Sequence, residues 1–99
     1  MAFSISNSGV IVNTTLDGRT VEKLTTVYFV EAGDVTLSVE AQILKTIDAI
    51  YHIEVDSTVP PASVGTISHK TVTGNVVALT LNAVSVDTTL MIESVLLGY

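Results

Sequence analysis

The sequence predicts an all-β fold: an antiparallel β-sandwich or related barrel of about seven or eight strands, in one domain spanning residues 1–99. Three observations predict it. Val, Thr and Ile supply 38 of the 99 residues, and these β-branched types lose side-chain freedom in helices but fit a pleated sheet. Turn signals built on Gly, Asn, Asp and Pro recur at short intervals, the spacing of a sandwich rather than of βαβ units. Hydrophobic residues make up 47% of the chain and charged residues only 14%, so a packed core is expected rather than disorder.

The elements follow in order. Phe3 and Ile5 alternate with polar residues before Asn7-Ser8-Gly9, which reads as a turn, and residues 10–15 read as a second short strand. Asp17-Gly18 suits the positive φ values of a type I′ hairpin turn. Residues 20–30 form a strand whose imperfect alternation predicts a bulge or bend near residues 23–25. After a turn at residues 31–34, Val35, Leu37, Val39 and Ala41 alternate with polar residues, the clearest half-buried strand of the chain. Ile43, Leu44, Ile47 and Ile50 have spacing that competes for a short helix, but β pattern resumes over residues 50–56. Pro60-Pro61 sits in an expected long loop, residues 57–65, because proline cannot donate to a ladder. Residues 66–73 and 76–82 flank Gly74-Asn75 as a hairpin. The last strand, residues 89–97, is apolar on both faces, Leu90, Ile92 and Leu96 opposing Met91, Val95 and Leu97, so it is expected to be central or covered by a partner.

Size and charge exclude several function classes. Scaling with mass predicts about 5,400 Å² of accessible surface, and roughly 64% of the extended chain's surface is buried on folding. Fourteen charged residues on such a surface are sparse, which predicts that apolar surface meets a partner in a homo-oligomer or a larger array. A net charge of −6, with Arg19, Lys23, Lys45 and Lys70 scattered, disfavours direct binding to nucleic acid or to anionic membranes. The chain has no cysteine, hence no disulfide, thiolate metal site or cysteine nucleophile. Residues 1–12 lack the basic n-region of a signal peptide.

Chemistry-bearing residues are few. His52, Glu54 and Asp56 share one face of a strand, and His69 could join them around a metal ion if the following strand paired beside it. The simpler reading is a polar strand face, and no metal or other cofactor is assigned. Ser68-His69 are neighbours whose side chains point to opposite faces of a strand, so they make no catalytic pair. The chain lacks a nucleophile elbow, a phosphate-cradling loop and a dinucleotide fingerprint. No catalytic, cofactor-binding or metal residue is assigned, and the chain is expected not to be an enzyme. Asn13-Thr14-Thr15 matches a glycosylation acceptor of the kind that occurs by chance. Tyr51, in phase with Ile53 and Val55, reads as a core or rim aromatic.

Lys45-Thr46-Ile47-Asp48-Ala49-Ile50-Tyr51, then Gly74-Asn75-Val76-Val77, then the closing run from Leu90 to Tyr99 resemble the layout of small β-rich virion structural proteins of tailed bacteriophages. The resemblance covers about the last 55 residues and is one of layout. It implies a capsid decoration (cement) protein, made in the host cytoplasm and carried on the virion. Such a protein stabilises a lattice by contacts with its own copies and with the major capsid protein or another virion protein. The competing expectation is a receptor- or carbohydrate-binding β module of a tail fibre or adhesin.

Overall fold

A computed structural model gives the fold and describes residues 2–59 and 66–99. Seven strands follow in chain order: β1 (Ala2–Leu16), β2 (Arg19–Val30), β3 (Gly33–Glu40), β4 (Ile47–Val59), β5 (Thr66–Thr73), β6 (Val76–Val84) and β7 (Thr88–Gly98). They form two antiparallel sheets, one ordered β1-β2-β7-β4 and the other β3-β6-β5. The accessible surface is 5281 Å², close to the scaling expectation for one folded unit of this mass.

Between the sheets lies one apolar core. Leu24 and Val30 of β2, and Leu90, Ile92 and Leu96 of β7, meet Leu37 and Val39 of β3 and Val77, Leu79 and Leu81 of β6. Period-two alternation produces this: the even-numbered residues of β7 are buried, while its odd-numbered ones face the other way. β7 is therefore central, between β2 and β4, which accounts for half of its two-sided apolar pattern. Its outward residues, Met91, Val95 and Leu97, remain to be explained.

Turn chemistry is followed closely at both hairpins. Asp17 and Gly18 both take positive φ, 54° and 71°, as a type I′ turn requires. At the β5–β6 turn only Gly74 does, at 60°, the pattern of a II′ turn with glycine first.

Three expectations are corrected. Asn7-Ser8-Gly9 is not a turn: β1 runs straight through it, because the Asn7 side chain bonds inward while Gly9 leaves room for a buried side chain described below. No bulge interrupts β2 against β7, whose register is continuous from Thr20 to Val30. The broken alternation of β2 instead arises because Glu22 and Thr26 occupy inward positions and are satisfied there by hydrogen bonds. Residues 41–46, where helical spacing competes, form a loop across one end of the sandwich, and strand resumes at Ile47. The strand before the proline pair reaches Val59, so the expected loop over residues 57–65 starts later, and Pro60 and Pro61 lie outside the described residues.

Candidate functional site

The outward side of the four-stranded sheet is not uniformly polar. Register pairs place Leu97 between Val21 and Ala49, and Lys23 between Val95 and Val10. Around them opens a groove of ≈ 360 Å³, with walls from Val12 and Leu16 of β1, Val21 of β2, Val95 and Leu97 of β7 and Tyr51 of β4. Asn13 and Lys23 are its polar members. Toward the other end the same face turns polar, with Thr25 opposite Glu93 and Glu93 opposite Glu54. Lys23 Nζ reaches Glu93 Oε2 at 3.6 Å, and Arg19 Nε lies 2.9 Å from Asp48 Oδ2 near the Gly98 end of β7.

Tyr51 enters this groove through a break in register. β4 is irregular between Ile50 and His52, so Ile50 pairs with Leu96 inside and His52 with Val95 outside, and Tyr51 is the extra residue. It is 75% exposed and lines the groove, not the core. The expected phase with Ile53 and Val55 fails at that bulge.

The edge of the sheet beside the groove is β1. Among the described residues, Ile5, Val10, Ile11, Val12 and Leu16 are exposed large hydrophobics on this single strand, Val12 at 60% and Val10 at 58%. No residue from Ala2 to Leu16 is charged and none is proline, so β1 lacks two of the devices, charge and proline, by which sheet edges are ordinarily protected from pairing. Its register against β2 is regular from Ser6 to Ile11 and shifts on either side.

That regular stretch is anchored from inside. Thr26 Oγ1 donates to Asn7 Oδ1 at 2.6 Å, and Asn7 Nδ2 donates to the Glu40 carbonyl at 2.8 Å, tying β1 to β2 and to the opposite sheet. Glu22, wholly buried, passes its carboxylate across Gly9, where a methyl group would overlap Oε2. Oε2 accepts from the Gln42 N–H at 2.8 Å, and Oε1 from the Ile43 and Leu44 N–H groups at 3.0 and 2.8 Å. A negative charge inside the fold is thus met by three consecutive amide dipoles, which also hold the end-capping loop. That loop is further pinned where Ala41 N–H donates to the Asn75 carbonyl and Ile47 N–H to the Gly74 carbonyl, each at 2.8 Å.

The candidate metal residues do not converge. His52 Nε2 lies 3.4 Å from Glu54 Oε2, with both side chains more than half exposed. His69 lies on β5, which pairs with β6 in the other sheet rather than with β4, so the pairing that would bring it to His52 does not occur. Among the described residues no group of three or more His, Cys, Asp or Glu could hold a metal ion. Ser68 Oγ donates to Asn82 Oδ1 at 3.2 Å, a cross-strand tie, and Asn13 Oδ1 accepts from the Thr15 N–H and hydroxyl beside the groove. Sequence reading overlooked Glu22 and the uncharged edge. The signal for the edge was visible as fifteen residues without charge; that for Glu22 was a carboxylate at an inward position of an otherwise apolar alternation. No protein-family model, curated protein or solved structure matches the chain.

Proposed function

We propose that the chain is a non-enzymatic structural subunit that works by docking the outer face and edge of its four-stranded sheet onto other subunits. In the form suggested by its layout, it is a capsid decoration protein of a tailed phage, associating with its own copies and with the major capsid protein. The observation that carries this is the apolar surface gathered on one side: the groove whose walls include the exposed Val12 and Leu16 and the half-buried Val95, continuous with the uncharged β1. Contiguous apolar surface of this kind is characteristic of interaction sites, and removing it from water stabilises a complex by roughly 25 cal/mol per Å² before ordering costs.

Light scattering after size-exclusion chromatography, together with cosedimentation with capsid shells, tests it. Val12→Asp is expected to weaken association without unfolding the chain, since Val12 is exposed. A chain that neither self-associates nor binds shells overturns the proposal. The second reading, a carbohydrate-binding module, is favoured by one observation, the exposed Tyr51 ring in the groove, because aromatic faces stack on apolar ligand surfaces. A glycan-array hit abolished by Tyr51→Ala would establish it in place of the first.

A further inference from the structure

We infer that the chain forms a two-fold dimer in which β1 of one copy pairs antiparallel with β1 of a second, joining two four-stranded sheets into one of eight. The inference rests on the subunit reading above and names the partner: another copy of this chain.

The charge distribution selects this pairing. A molecule of net charge −6 repels its copies, so a self-complementary contact requires a surface free of that charge. Each of the other three sheet edges carries charge: Asp34 and Glu40 on β3, Asp48, Glu54 and Asp56 on β4, and Lys70 on β5. β1 alone has none. A two-fold axis sets a strand against itself, so charges on β4 would meet like charges, a destabilising arrangement when directly opposed. β1 and β4 each carry three register shifts, so charge rather than regularity separates them, and between its shifts β1 offers regular geometry over residues 6–11.

Preorganisation favours the same edge. The Asn7 bonds and the passage of Glu22 over Gly9 hold this stretch in place, so little ordering is needed when a second strand arrives. Side-chain parity restricts the register. Paired residues share a face, so outward side chains stay outward only if the axis passes through a residue position. An axis at Ser8 sets Ser8 against Ser8 and Ser6 against Val10; one at Gly9 sets Ser8 against Val10. Either way Val10 lies at the seam, and the apolar groove of each copy opens on the same face of the joined sheet.

A charge-swap experiment on the whole chain tests this. Ser8→Glu with Val10→Glu places like charges across the seam in both registers, while within the chain position 10 faces Lys23, so the fold is preserved. Ser8→Lys with Val10→Lys is the counterpart; it sets a like charge against Lys23, so circular dichroism checks that it stays folded, and Ser8→Lys alone replaces it if it does not. By sedimentation equilibrium, wild type is expected to dimerise and each variant to dimerise at least tenfold more weakly, and an equimolar mixture of the two should recover a heterodimer. Hydrogen exchange on wild type alone provides a measure independent of any variant: alternate amides of residues 6–11 should gain protection as concentration rises. If wild type associates and the variants associate equally well, the edge inference is overturned while the subunit reading stands. If the variants are impaired but do not recover on mixing, β1 meets a different surface and the two-fold pairing is wrong. A wild type that stays monomeric throughout overturns the inference, and shell binding then decides the subunit reading separately.

Discussion

Replacing Glu22 by glutamine keeps the side chain's shape but removes the charge on which residues 41–46 hang. In the wild type one carboxylate accepts three amide hydrogen bonds of 2.8 to 3.0 Å with no part of the residue exposed. A glutamine oxygen in the position of Oε1 still accepts from Ile43 and Leu44, but its amide group then points a donor at the Gln42 N–H. One charged bond of about 1.5–3 kcal/mol is lost and two others drop to neutral strength. Glu22→Gln should therefore cost about 3–5 kcal/mol, the range for breaking a buried charged arrangement. That is a large part of the ~5–15 kcal/mol typical of a domain. With a urea slope of ~1–3 kcal/mol/M, the unfolding midpoint falls by about 2 M. Hydrogen exchange gives the local reading, since the Gln42 amide should lose more protection than those of Ile43 and Leu44. Glu22→Leu makes the decisive comparison. If the carboxylate merely fills space, leucine is neutral or better; if it satisfies the loop, leucine strands three donors, that of Leu44 buried, and costs more than glutamine. A leucine variant as stable as wild type refutes the argument.

The remaining predictions concern neighbouring residues and the core. Gly9→Ala should destabilise the chain by about 2–4 kcal/mol, and a double-mutant cycle with Glu22→Ala should show at least ~1 kcal/mol of coupling, because removing the carboxylate removes the overlap. Ser94→Ala should raise stability by about 1 kcal/mol in urea melts, since the buried Ser94 hydroxyl has no hydrogen-bond partner among the described residues. Leu96→Asp should abolish folding by circular dichroism rather than merely dissociate an assembly, because Leu96 lies wholly inside the chain's own core. His52→Ala should leave the unfolding free energy from urea melts within about 0.5 kcal/mol of wild type, as expected for an exposed pair.

Where burial follows a period of two, the fold is legible in the sequence. Val35, Leu37, Val39 and Ala41 alternate in composition and are buried, and Asp17-Gly18 is a turn because few other pairs tolerate two successive positive φ values. Legibility fails where a long-range contact overrides local preference. Asn7-Ser8-Gly9 carries turn residues, yet Asn7 serves a strand 19 residues away and Gly9 makes space for a side chain on the neighbouring strand. Tyr51 has the right local phase, but a one-residue irregularity moves it to the outer face. Strand order is equally non-local: nothing near His52 or His69 says that β4 joins β7 while β5 joins β6.

The groove and edge were half legible for a related reason. Apolar outward residues on β7 could mean burial by a neighbouring strand or by another molecule, and only the sheet order separates the two. With β7 placed between β2 and β4, both of its backbone edges are satisfied, so what the half-buried Met91 and Val95 lack is a layer above them, not a strand beside them. β1 lacks the strand beside it as well. The residues that solve an interior problem, Asn7 and Gly9, lie in the regular stretch of that same edge, so the bonds that satisfy the core also fix the surface offered to a partner. Loosening Glu22 should accordingly weaken both: a Glu22→Gln variant that remains folded at low temperature should self-associate less well than wild type although no atom of Glu22 reaches the surface.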